Sequence, residues 1–251
     1  LNNKMLYPPK LIGHRGVKDL SPENTLDSIK LAKQLGLNWV EIDVKITKDL
    51  IPILLHDDCL DRTTDGKGLP ININYDYIKN LDAGIFFHKH PTQIYIPTLS
   101  EVLLFSQEND INLNIELKPN LGFELENAQA IANVILSSNF SNQYYFSSFD
   151  WQSIISMKEL IPNAYFGLLI DEFDKDHNLN NALDICKKNN FSCCGLNKNI
   201  INSEVINQIN SMNLITSVYS DKNLNKNEAS ELWTMGVRSI LIDDPSVFKI
   251  F

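Results

Sequence analysis

The sequence predicts an α/β protein built as a (β/α)8 barrel, the TIM-barrel architecture, with a small inserted subdomain after the second strand. Three observations predict it. Eight short apolar runs alternate with longer segments of helical period, the pattern of repeated βα units around a parallel sheet. The chain has 251 residues, and a single barrel of this kind commonly uses about 200 to 250. The first strand-to-helix turn lacks the GxGxxG of a dinucleotide-binding doubly wound sheet, the competing architecture.

The predicted strands cover Leu11 to Gly13, Trp39 to Val44, Leu113 to Leu117, Tyr144 to Ser147, Tyr165 to Ile170, Cys193 to Leu196, Leu214 to Val218 and Ser239 to Ile242. Helices are predicted between them, at Pro22 to Leu35, Leu99 to Gln107, Phe123 to Ser137, Gln152 to Leu160, Leu179 to Lys188, Ser203 to Met212 and Lys226 to Met235. Ser21 followed by Pro22 predicts an N-cap and first helical position for the first helix, while Gly36 and Gly236 suit left-handed C-terminal closure.

A ninth apolar run, Ile51 to Leu55, follows the second strand too closely for a helical crossover and is expected to be the return arm of a hairpin. A reversal centred between Asp49 and Leu50 sets Ile46 opposite Ile53 and Val44 opposite Leu55, with Asp43 opposite His56 on the other face. Leu50 is ill suited to the positive φ of a tight primed turn, which favours a longer loop and leaves a register slipped by one residue open. Asp57 to Pro97 is rich in turn formers, and a connection of that length is commonly a lid, a binding loop or a small subdomain. We assign residues 59–97 as an insertion within a single domain of residues 1–251. Its aromatic residues Tyr75, Tyr77, Phe86, Phe87 and Tyr95 are expected to pack a small core of their own.

A net charge of −9 excludes bulk electrostatic attraction to nucleic acid or an anionic membrane. No window is apolar over the roughly 18 to 20 residues that span a bilayer, and the polar start at Asn2, Asn3 and Lys4 lacks the apolar run of a signal peptide. Cys59, Cys186, Cys193 and Cys194 have no metal-binding spacing and are expected as free thiols, with Cys193 and Cys194 facing opposite ways on a strand. The expected compartment is the cytoplasm, or the periplasm or exterior if a leader has been removed.

In such a barrel the C-terminal ends of the strands carry the chemistry. Glu41 and Asp43 lie two residues apart on a strand, hence on one face and about 6 to 7 Å apart. An ion with oxygen ligands at about 2.0 to 2.6 Å fits between them. Glu116, in LNIELKP, faces the same way if its strand is the neighbour. An all-carboxylate set favours a hard cation, Mg2+ or Ca2+, over zinc. His14 and His56 at the same rim are candidates for proton transfer near neutral pH. Arg15 and Lys118 are placed to hold an anion. His88, His90 and His177 have no partner pattern and are expected at the surface.

The segments GHRG, PENT, EIDVKITKD, ILLHDD, LDRTTDG, PTLSEVL, NIELKP, SSFD and GVRSILIDDP, in this order and spacing, resemble the glycerophosphodiester phosphodiesterase family over nearly the whole chain. The resemblance implies a (β/α)8 barrel that hydrolyses glycerophosphodiesters to glycerol 3-phosphate and an alcohol with one divalent cation. It carries the metal ligands onto Glu41, Asp43 and Glu116, the acid/base pair onto His14 and His56, and phosphate contacts onto Arg15 and Lys118. We expect His56 as base and His14 as acid; water and the glycerol 2-hydroxyl both remain open as nucleophile. Where the family usually has Trp-Thr-Val-Asn this chain has TSVYSDKN, which puts Tyr219 near the substrate. The family's Asp-Gly turn is Asp49-Leu50 here. The alternatives are a lysophospholipase D or sphingomyelinase D-like phosphodiesterase, and a non-catalytic barrel that binds phosphodiesters.

Overall fold

The computed structural model describes residues 6–248, so the polar Asn2, Asn3 and Lys4 lie outside it. In chain order its strands are β1 (Leu11–Gly13), β2 (Trp39–Ile46), β3 (Pro52–Leu54), β4 (Asn112–Leu117), β5 (Tyr144–Ser148), β6 (Tyr165–Ile170), β7 (Cys193–Asn197), β8 (Ile215–Tyr219) and β9 (Ser239–Ile242). Its helices are α1 (Leu26–Gln34), α2 (Tyr75–Ile78), α3 (Ile85–His88), α4 (Leu99–Glu108), α5 (Glu124–Ser137), α6 (Trp151–Leu160), α7 (Leu179–Asn189), α8 (Ser203–Ser211) and α9 (Lys226–Met235).

β1 pairs in parallel with β2 on one side and β9 on the other, which closes the eight parallel strands into a barrel. The expected (β/α)8 architecture is therefore the observed one. Alternation along each strand divides the side chains into two sets. Outward residues such as Val40, Ile42, Ile115, Phe146 and Cys194 form the main core with the helices. Inward residues near the strand starts, Ile12, Trp39, Tyr145 and Cys193, make an apolar floor with Leu6. Cys193 and Cys194 thus face opposite ways, and all four cysteines are free. Further along the same inward rows the residues turn polar: Glu41, Asp43, Asn114, Glu116, Ser147 and Ser217 are all buried. The polar rows open at the strands' C-terminal ends. Among the described residues no helix is long and apolar enough to cross a membrane.

Three expectations are corrected. Helix α1 begins at Leu26, not Pro22, and its N-cap is Thr25, whose hydroxyl accepts from Ser28 N at 3.2 Å. The chain cannot be helical before that, because Asn24 takes φ 56 while its side chain is bonded to Asp43.

The hairpin is shifted by one residue: Val44 pairs with Leu54, Lys45 with Ile53 and Ile46 with Pro52. Asp43 consequently lies across from Leu55, whose N–H donates to its carbonyl at 3.1 Å, and not from His56. The turn decides this. Leu50 N donates to Thr47 O at 2.9 Å, Leu50 itself takes φ 60, and Thr47 N donates to Ile51 O at 3.1 Å. This is a type I turn followed by a left-handed residue, the common longer hairpin loop, and Leu50 occupies the position glycine would favour.

The connection from β3 to α4 has its own core, but aliphatic residues build it: Ile53, Leu55, Leu60, Ile78, Leu81, Ala83 and Ile96. Of the five aromatics only Tyr75 packs against it, while Tyr77, Phe86, Phe87 and Tyr95 are exposed. Single-turn helices bury little: α2 buries Ile78 and α3 buries no residue.

Candidate active site

The strand-to-loop exit after β1 is built by backbone crowding. A Cβ on Gly13 would sit 2.2 Å from Gly16 O, and one on Gly16, which has φ 85, would sit 2.3 Å from Ser28 Oγ. The loop therefore folds back tightly, with Arg15 itself in the left-handed region at φ 52. Such a conformation costs roughly 1–2 kcal/mol for a non-glycine residue. Three hydrogen bonds hold it: Arg15 N donates to Glu41 Oε2 at 2.9 Å, while Ser28 Oγ at 3.1 Å and Asn24 N at 3.0 Å donate to Arg15 O. The GHRG motif thereby hands His14 and Arg15 to the barrel rim.

Glu41 and Asp43 share the inward face of β2, and Asp43 is in register with Glu116 on β4. One oxygen from each of the three acids lies within 4.8 Å of the others, and all three are buried. The Glu41 and Glu116 carboxyls are raised, Glu116 to about 7, chiefly by burial, with neighbouring carboxylates adding to it. Burial pushes Asp43 the same way, but Arg15, then Lys118 and His56, outweigh it and hold that carboxyl far below the usual range. Arg15 Nε lies 3.4 Å from Asp43, and Lys118 Nζ lies 2.9 Å from Glu116 and 3.9 Å from Asp43. Asn24 grips Asp43 twice, through Nδ2 at 2.8 Å and by accepting its backbone N–H at 3.1 Å.

The donor set fits a cation. Glu41 Oε1 is fully buried and has no hydrogen-bond partner among the described residues, a costly state for a carboxylate oxygen unless something positive meets it.

Each imidazole is oriented by a carboxylate. His14 Nδ1 lies 2.7 Å from Asp243 Oδ1, and His56 Nδ1 lies 2.8 Å from Asp57 Oδ1. With an acceptor at Nδ1, that nitrogen carries the hydrogen of the neutral ring and Nε2 keeps the lone pair. Burial lowers both imidazole pKa values, His14 against the pull of Asp243 and His56 against that of Asp43.

His14, Arg15, His56, Glu116, Lys118 and Tyr219 all line one cavity of about 490 Å3 at this rim. Glu41 and Asp43 belong to the same carboxylate cluster as Glu116. Tyr219 donates to the Asp171 carboxylate and meets Phe149 edge-on at 5.4 Å. Burial, then Asp171, raises the Tyr219 hydroxyl strongly. Lys118 Nζ lies 5.0 Å over the Phe149 ring. His88, His90 and His177 are exposed, as expected, and His177 also packs edge-on against Trp151 at 4.7 Å.

The sequence reasoning missed Asn24 and Asp243 as partners of the central groups. Asp243 had a visible signal, since it is a polar residue just past the end of the last strand. Asn24 had none, because only its left-handed backbone turns its amide toward β2.

Fold and site together define a (β/α)8 protein with one rim cavity in which imidazoles and cations surround a carboxylate cluster. The chain belongs to the glycerophosphoryl diester phosphodiesterase family, whose family model matches residues 14–247. A glycerophosphodiester phosphodiesterase of Caldanaerobacter subterraneus is 36% identical over 159 residues, which span 63% of this chain and 65% of that protein. YhdW of Bacillus subtilis is 30% identical over 246 residues, 94% of each chain. In structure, an Oleispira antarctica phosphodiesterase in complex with the product sn-glycerol-3-phosphate aligns over 96% of both chains at 30% identity, with a TM-score of 0.88.

Proposed function

We propose that this protein hydrolyses glycerophosphodiesters to sn-glycerol 3-phosphate and an alcohol, with His56 as general base and His14 as general acid. The observation that carries the proposal is the convergence of His14, His56, Arg15, Lys118 and Glu116 on one cavity beside Glu41 and Asp43. The Oleispira relative, which holds sn-glycerol-3-phosphate, supports the same substrate class.

Arg15 and Lys118 hold the phosphate through charge-assisted hydrogen bonds. His56 Nε2 takes the proton of the attacking oxygen, and His14 Nε2 gives one to the leaving alkoxide. The partners favour these roles. Arg62 engages both oxygens of Asp57, so His56 faces a weakened counter-charge and stays neutral. Asp243 has Lys18, at 3.5 Å, as its one cationic partner besides His14 among the described residues, and so stabilises a protonated His14 better. Glu41, Asp43 and Glu116 would hold a divalent cation, Mg2+ or Ca2+, as an all-oxygen hard-ion set. When bound, that ion would offset charge on the phosphoryl oxygens.

The test is release of sn-glycerol 3-phosphate from glycerophosphocholine, with lysophosphatidylcholine assayed in parallel. Turnover of the first is expected, with His14→Ala and His56→Ala each lowering kcat by at least about 10²-fold in a folded protein. Wild-type turnover by either variant removes that residue from the mechanism. Preference for lysophosphatidylcholine would move the assignment to a lysophospholipase D.

A further inference from the structure

We infer that Arg62, carried on the connection between β3 and α4, is a positioning residue that ties the catalytic base and the phosphate-binding arginine to a single guanidinium. The inference rests on the diesterase assignment above. Arg62 Nε and Nη2 donate to the two oxygens of Asp57 at 2.6 and 2.9 Å. Its Nη1 and Nη2 donate to the two oxygens of Glu23 at 2.9 and 2.7 Å. Asp57 Oδ1 is also the atom that orients His56, and Glu23 Oε1 is also the atom that accepts from Arg15 Nη1 at 2.9 Å. The result is a continuous chain from His56 through Asp57, Arg62 and Glu23 to Arg15. It joins two loops far apart in sequence through a residue that itself lies outside the cavity lining.

Two physical points give this chain a catalytic purpose. First, only a guanidinium forks onto two carboxylates at once; an ammonium is a point donor that cannot fix both planes. Second, the Arg62 side chain is 48% exposed, and exposed ion pairs contribute little to stability. Four well-formed hydrogen bonds on an exposed cation therefore serve geometry more than folding. Small misplacements of catalytic groups lower rates by about 10²-fold, so the effect belongs in turnover.

The experiment is steady-state hydrolysis of glycerophosphocholine by wild type, Arg62→Lys, Arg62→Ala, Glu23→Gln, Asp57→Asn and the double variant Asp57→Asn/Arg62→Ala, each with its thermal midpoint. Arg62→Lys is expected to lower kcat/KM by about 10- to 100-fold, through both a lower kcat and a higher KM. Its midpoint is expected to stay within about 3 °C of wild type. Glu23→Gln should act mainly on KM and Asp57→Asn mainly on kcat, and adding Arg62→Ala to Asp57→Asn should lower kcat no further, since both break the same arm. If Arg62→Ala does not fold, Arg62→Lys carries the measurement. Wild-type kcat and KM in Arg62→Lys, or fully additive kcat losses in the double variant, overturn the inference while leaving the diesterase assignment standing. A wild-type protein that leaves glycerophosphocholine intact overturns both.

Discussion

Raising the pH of the cation-free protein is expected to destabilise it in a window set by Glu116. That carboxyl keeps its proton up to about 7, against an ordinary value of 4.5, because burial penalises its charge by more than the neighbouring Lys118 offsets, with repulsion from Asp43 adding to the shift. Between those two values the folded state holds a proton that the unfolded state has released, so stability falls as pH rises and levels off above the upper one. The difference, 7 − 4.5, is roughly 2.5 pH units, or about 3 kcal/mol at about 1.4 kcal/mol per unit. Glu41 acts in the same direction. His14 and His56, whose pKa values are lowered by burial, act in the opposite one, adding stability as pH rises toward 6.5. The Glu116 contribution is therefore isolated by comparison with Glu116→Gln, which keeps the shape and removes the charge. Urea midpoints would be measured in chelator at four pH values from 4.5 to 8. Wild type is expected to lose about 3 kcal/mol relative to Glu116→Gln across the window. Adding Mg2+ or Ca2+ at pH 8 should restore much of it, because bound cations replace protons on their ligands. A wild-type-minus-variant difference that stays constant with pH would refute the claim that burial controls this carboxyl.

Leu50→Gly should relieve the left-handed strain at φ 60 and raise the thermal midpoint by about 1–3 °C, the glycine's extra unfolded-state entropy offsetting part of the gain; an unchanged or lower midpoint counts against strain there. Asp243→Asn should lower kcat by about 10- to 100-fold with little change in KM, since it loosens His14 without touching the phosphate cations, and a pH–rate profile would record the change. Glu41→Gln should weaken divalent-cation binding, read by titration calorimetry, by at least about tenfold; wild-type affinity would remove Glu41 from the ligand set. Tyr219→Phe, which loses the bond to Asp171, should change KM for glycerophosphocholine more than kcat.

What local rules could reach was largely legible. The alternation of strand residues puts Glu41 and Asp43 on one face wherever β2 lies, and the βα rhythm implies a barrel whose strand ends gather His14, Arg15, Glu116 and Lys118. Gly36 and Gly236 take the left-handed φ values, 88 and 105, that their helix-closing positions called for.

Tertiary structure decided the rest, for reasons no local pattern contains. The hairpin register turned on whether Leu50 would accept a positive φ, which depends on hydrogen bonds at Thr47 and not on the apolar pairs that the pattern matched. Helix α1 started a turn late because Asn24 was worth more as a clamp on Asp43 than as a helical residue. The exposed aromatics of the β3–α4 connection show that composition marks what could be buried, while the size of the space decides what is. Asp243 reaches His14 across 229 positions of sequence, and Arg62 reaches Glu23 across 39. Side-chain periodicity determines which face a group occupies, but the partner it meets there is set by the closure of the barrel, a property of the whole chain.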